Sequence, residues 1–105
     1  MSRRDVSSHM TDPVIEPLKE PQARKLAREI IEDGVVEFSN HSQDEMQQDQ
    51  LTALDCLNLL RGGVIQSGGF QNGEWRYRAA TARMCVVFTF RSETCLRVVT
   101  AWRFK

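Results

Sequence analysis

The side chains best suited to moving protons or holding phosphate are few in this chain and unevenly placed. His41 is the only histidine outside the N-terminal stretch that carries His9, and an imidazole titrates near neutral pH, which makes it the candidate acid or base. Asp44 and Glu45 follow within one helical turn and can hold one ring nitrogen, although the same carboxylates equally suit a helix terminus. Further on, Gly73-Glu74-Trp75-Arg76-Tyr77-Arg78 alternates so that Arg76 and Arg78 leave one side of a strand and Trp75 and Tyr77 the other. Guanidinium groups grip phosphate in a two-pronged way that lysine does not match, and an aromatic ring near a strand end suits stacking on an unpaired base. Cleavage of RNA by its own 2′-hydroxyl needs a base, cations on the pentavalent phosphate and an acid for the leaving oxygen. These residues supply the cations more convincingly than the base.

The arginines belong to a wider asymmetry. Residues 61 to 105 hold eight Lys+Arg against two Asp+Glu, and residues 1 to 60 hold six against twelve. The net charge of zero is therefore +6 and −6 added together, and a polyanion is attracted to one part of a protein that looks neutral overall. Arg83, Arg91, Arg97, Arg103 and Lys105 extend the basic set along the last strands.

Several functions are disfavoured by what the sequence lacks. Cys56, Cys85 and Cys95 are odd in number and have no CxxC or Cys/His spacing, which argues against a disulfide framework, a structural zinc site and a nucleophilic thiol. They read as reduced, buried thiols. No metal or cofactor is expected, because no ligand constellation appears and Gly62-Gly63 and Gly68-Gly69 read as turn punctuation and not as a phosphate-cradling loop. No apolar run approaches the roughly 18 residues of a membrane span, and no apolar leader follows Arg3 and Arg4. The expected location is the cytoplasm, with no membrane partner.

The elements that must position these groups are legible from periodicity and caps. Residues 1 to 19, with Pro13 and Pro17 and no periodicity, read as a flexible tail, native or partly vector-derived, outside a single domain of residues 20 to 105. Pro21 opens a helix over about 21 to 33, with Ala23, Leu26, Ala27, Ile30 and Ile31 on one stripe and Gly34 as its stop. Val35 to Phe38 reads as a short strand, and Ser39-Asn40 caps one or two helical turns. Thr52 and Asp55 form a capping box for a helix ending at Gly62-Gly63. A strand begins at Val64, Asn72-Gly73 marks a tight turn, and three arginine-bearing strands close the chain as an antiparallel meander.

The last hairpin can pair in two parities, which place opposite sets of residues inward. Pairing Arg91 with Cys95 puts Met84, Val86, Phe88 and Phe90 on one apolar face with Leu96, Val98, Thr100, Trp102 and Phe104. The other parity sets Phe88 beside Arg97, so the first is expected, subject to relocation by a bulge. It sets Arg83 against Arg103, an unfavourable like-charge pair unless an anion lies between them.

From Phe38 to Lys105 the chain resembles the small bacterial proteins grouped as the domain of unknown function numbered forty-two fifty-eight, which look related to the MqsR and RelE toxins. The resemblance rests on Ser39-Asn40-His41 with Glu45-Met46, Leu51-Thr52, Leu60-Arg61-Gly62-Gly63, Gly73-Glu74-Trp75-Arg76-Tyr77 and Val98-Val99-Thr100-Ala101-Trp102-Arg103. It implies an α+β fold with N-terminal helices packed on a twisted, mainly antiparallel sheet. It also implies a metal-independent endoribonuclease toxin acting on mRNA, on or off the ribosome, held by a co-encoded antitoxin with a zinc-ribbon or helix-turn-helix module. The resemblance matches His41, Arg76, Tyr77, Arg83 and Arg103; with the residue reading above, His41, Tyr77, Arg76 and Arg103 are the catalytic candidates, and Arg78, Arg83, Arg91, Arg97, Lys105 and Trp75 the RNA-binding ones. The chain departs from the toxins in its shortage of lysines, Lys105 being the only one after residue 25. The alternative from the residues alone is a non-catalytic basic module that binds nucleic acid or an acidic protein. A homodimer through an exposed sheet edge is a further expectation.

Overall fold

A computed structural model describes residues 14 to 104. The order is α1 (Glu20–Asp33), β1 (Val35–Phe38), α2 (Asn40–Gln48), α3 (Ala53–Gly62), β2 (Val64–Gln71), β3 (Glu74–Ala80), β4 (Met84–Ser92) and β5 (Cys95–Arg103). The class is α+β: three helices from the N-terminal half accompany a five-stranded sheet in the order β1-β5-β4-β3-β2. Every pairing is antiparallel except that of β1 with β5. No helix among the described residues is long and apolar enough to cross a membrane.

Local chemistry accounts for most boundaries. Pro21 stands in the first turn of α1, where a missing N–H costs nothing, and Ala23, Ala27 and Ile30 are buried along one stripe. At Gly34 any side chain would collide with the Thr94 carbonyl oxygen, 2.3 Å from an ideal Cβ, and the same oxygen accepts the Val35 N–H at 2.9 Å. Ser39 caps α2 by accepting from the Ser42 N–H, and Thr52 and Asp55 form the reciprocal box that opens α3. Asn72 and Gly73 both have positive φ, 52° and 81°, as a two-residue turn matched to strand twist requires. The C-terminus of α3 is capped from α1: Arg24 donates to Arg61 O and Gly63 O, and Arg28 donates twice to Arg61 O.

The core lies on one face of the sheet. Tyr77, Ala79, Met84, Val86, Phe88, Phe90, Leu96, Val98 and Ala101 are buried there against Ala27, Ile30, Cys56, Leu60 and Met46 from the helices. Tyr77, Phe88 and Phe90 form an aromatic cluster with centroids 5.2 to 5.7 Å apart, which adds quadrupole contacts to the area they bury.

Two sequence readings are corrected. The expected register holds for Thr89 with Arg97 and Phe88 with Val98, and then Val99 is bulged out, so that Val87 faces Thr100 and Cys85 faces Trp102. Beyond the bulge the inward position falls to Ala101, which is fully buried, and Phe104 is 46% exposed. Met84, not Arg83, stands opposite Arg103, and the expected like-charge pair does not form. At the turn Ser92 pairs with Cys95, and Arg91 is passed over.

Residues 14 to 19 of the expected tail also belong to the fold. Val14 and Leu18 pack on the core, the Leu18 N–H donates to the Tyr77 hydroxyl at 3.0 Å, and that hydroxyl donates to Glu16 at 2.8 Å. A buried phenol needs polar partners, and this segment supplies them without any periodicity of its own. His9 and the rest of the expected tail lie outside the described residues.

Candidate nucleic-acid interface

The sheet has a second face, and no described helix lies across it; the helices pack on the core side and, through α2, beside β5. Register defines its rows. Gly69 pairs with Arg76, Thr89 with Arg97, and Arg97 with Glu37. Tyr77 pairs with Phe88, so the next step of that ladder sets Arg76 beside Thr89 and makes these residues one row across five strands. The next row runs Gln66, Arg78, Val87, Thr100, and the next Val64, Ala80, Cys85, Trp102. The face therefore has an arginine end and an apolar end with an aromatic ring.

Its charged side chains are Arg76, Arg78 and Arg97 against Glu37 and Glu74, with Arg91 at its margin. Arg78 and Arg91 are exposed and Arg97 is half-buried. Arg76 differs: its side chain is 16% exposed, its Nη2 lies 3.3 Å from Glu74 Oε2, and its Nε is buried with no hydrogen-bond partner. Arg97 faces Glu37 across strands. At the far end Trp102 is half-buried and meets Phe104 edge-on at 6.3 Å. Thr89 is buried and donates to the Trp75 carbonyl.

The remaining candidates are distributed elsewhere. Tyr77 is on the core face, 1% exposed, and desolvation pushes its hydroxyl up to about 12, with Glu16 adding to the rise and the Leu18 N–H opposing it. A phenol so held stays protonated at neutral pH. Trp75 shares that side and meets Phe70 edge-on at 5.1 Å. Arg103 is taken up by α2: its backbone N–H donates to Asp49 Oδ2 at 2.7 Å, and its guanidinium donates to Asp49 O and Gln50 O. Cations belong at helix C-termini, where they satisfy orphan carbonyls. Arg83 is exposed in the β3–β4 connection, where its carbonyl accepts the Phe104 N–H. Lys105 lies outside the described residues.

His41 is exposed on α2, its Nε2 3.4 Å from Glu45 Oε2. The other oxygen of Glu45 accepts the Ala101 N–H at 3.0 Å and the Thr100 hydroxyl. Glu45 and Asp49, one turn apart, thus receive alternate N–H groups of β5 beyond the end of β1, where Ser39 N–H already donates to Val98 O. The strand edge is closed by carboxylates where no described strand pairs with it. This role of α2 is absent from the sequence pattern because its partners are more than fifty residues apart.

His41 and Arg76 are consequently on separate parts of the molecule: α2 adjoins β5, and β4 separates β5 from β3. Among the described residues no cluster of three or more His, Cys, Asp or Glu side chains is arranged to hold a metal ion. A groove of about 490 Å³ lies between α1 and β2, lined by Arg24, Arg28, Glu32 and Val64 among others. A sheet face suits an extended polymer better than a small molecule, which needs enclosure. Comparison with protein-family models, curated proteins and solved structures finds no match to this chain.

Proposed function

We infer that this protein is a non-catalytic binding module, working in the cytoplasm, whose open sheet face holds single-stranded nucleic acid. The observation that carries this reading is a five-stranded sheet packed by helices on one face and, among the described residues, crossed by none on the other, where Arg76, Arg78 and Arg97 stand with Trp102. Phosphates meet the arginines, and unpaired bases have an aromatic and apolar end against which to stack. Duplex would be a poorer ligand, since its bases are already stacked.

The test is a titration of labelled single-stranded RNA by fluorescence anisotropy at two salt concentrations. Binding is expected to weaken steeply with salt, and Arg78→Glu and Arg97→Glu are expected to weaken it further, with Lys25→Glu on α1 having a much smaller effect. Salt-insensitive binding, or equal affinities for all three variants, would sink the reading. Binding to an acidic protein in preference to RNA would favour the other occupant of a basic face.

A second reading, a metal-independent endoribonuclease toxin paired with an antitoxin, draws support from one contact, that of His41 with Glu45, which holds an imidazole in one orientation. It predicts that RNA is cut during the titration and that His41→Ala abolishes the cut.

A further inference from the structure

We propose that Arg76 is the specific anchor of the open face, taking one phosphodiester group of a single-stranded nucleic acid on its Nε and Nη2 together, and that Glu74 occupies it until that ligand arrives. The inference rests on the reading of the face as a nucleic-acid surface and adds which residue makes the specific contact and what guards it.

The Arg76 side chain is only 16% exposed, and its hydrogen bonding is incomplete. Glu74 touches one nitrogen through one oxygen, at the long distance of 3.3 Å, while Nε is shut off from solvent without an acceptor. A guanidinium edge presents Nε and one Nη in parallel, matched to two oxygens of a phosphate or carboxylate. Glu74 lies two residues away on the same side of the same strand, and it engages the fork at a single nitrogen. An oxyanion arriving from above the sheet is free of that tether, and on displacing Glu74 it completes both bonds. A buried donor without an acceptor is costly, and this ligand would relieve that cost.

The surroundings leave room for such an approach. Opposite Arg76 on β2 stands Gly69, whose Cβ position has no atom within 4 Å, and Gln71, which shares this face through its pairing with Glu74, is turned back to donate to Gly68 O. On the other side Thr89 is already committed to the Trp75 carbonyl and does not compete for the ligand.

The experiment compares four variants by anisotropy with a labelled single-stranded RNA, each checked for native folding by circular dichroism. Arg76→Lys keeps the charge and removes Nε, and it is expected to weaken binding about tenfold with an unchanged salt slope, the size of one charge-assisted hydrogen bond. Arg97→Lys is expected to change affinity much less. Glu74→Gln and Glu37→Gln each remove one negative charge from the same face, and only Glu74→Gln also frees the Arg76 fork, so it is expected to tighten binding clearly more. Similar effects of Arg76→Lys and Arg97→Lys, or of the two glutamine variants, would overturn the anchor while leaving the broader reading intact. Wild-type protein that binds no RNA at either salt concentration would overturn both. Should Arg76→Lys fail to fold, the glutamine pair decides alone.

Discussion

Arg103 and Asp49 are joined twice, once from the backbone N–H of β5 to the Asp49 carboxylate at 2.7 Å and once from the Arg103 guanidinium to the Asp49 carbonyl at 3.2 Å. One contact closes a strand edge and the other caps a helix, so a residue that looks catalytic in sequence is a clasp between α2 and β5. Arg103→Ala is expected to lower stability by about 1 kcal/mol, the worth of a helix-terminal cation, and Asp49→Ala by about 1 kcal/mol, the net worth of the hydrogen bond it accepts from the exposed Arg103. Urea denaturation midpoints check both, and Arg103→Ala should leave RNA affinity within about twofold of its salt-screened value for any single distant charge.

Tyr77 carries a parallel expectation. Tyr77→Phe keeps the aromatic cluster and removes the hydroxyl that Leu18 and Glu16 share, leaving the Leu18 N–H without its acceptor. A loss of about 1–2 kcal/mol is expected, together with faster proteolysis within residues 14 to 19 and unchanged RNA binding. A loss of binding with full stability would instead place Tyr77 in contact with ligand.

Glu16 makes the docking of this segment sensitive to pH. Its carboxyl is raised above the ordinary 4.5, first by burial, with Glu74 adding to the rise and the Tyr77 hydroxyl opposing it. The folded chain therefore holds this proton more tightly than the unfolded chain. Its favourable contribution is present below the ordinary value and is lost as pH rises through the raised one. Glu16→Gln keeps an acceptor for the Tyr77 hydroxyl and carries no charge. It should melt no lower than wild type at pH 7, and the difference should vanish at pH values below the ordinary carboxyl range of about 4. A variant less stable than wild type at pH 7 would contradict this account.

The three thiols should be ranked by burial. Cys56 is pushed up to about 11, chiefly by desolvation and further by Asp55; Cys85 is raised by burial with Arg78 opposing, and Cys95 by burial and by Glu37. Since the thiolate is the reactive form, a disulfide reagent at pH 7 should label half-buried Cys95 first and reach Cys56 and Cys85 only as the fold opens. Mass spectrometry of a labelling time course reads the order, and prompt reaction of Cys56 would refute it.

Much of the architecture is local and could be read directly from residue order. The stripe of Ala23, Ala27 and Ile30, the caps at Ser39 and Thr52, the Asn72-Gly73 turn and the split of Arg76 and Arg78 from Tyr77 depend on neighbours within about one turn or one strand pair, where type and spacing decide conformation. Composition likewise determined that the second half is basic. What only the tertiary structure decided is how those elements meet. The bulge at Val99 exchanges the faces of Trp102 and Ala101, which alternation alone cannot announce because the pattern tolerates either parity. Glu45, Asp49, Glu16 and Leu18 find partners 54 to 61 residues away, and a polar side chain carries no mark of so distant an acceptor or donor. For that reason the sequence declared a set of arginines, while packing divided them: Arg103 into a helix cap, and Arg76, Arg78 and Arg97 onto the face that no described helix crosses.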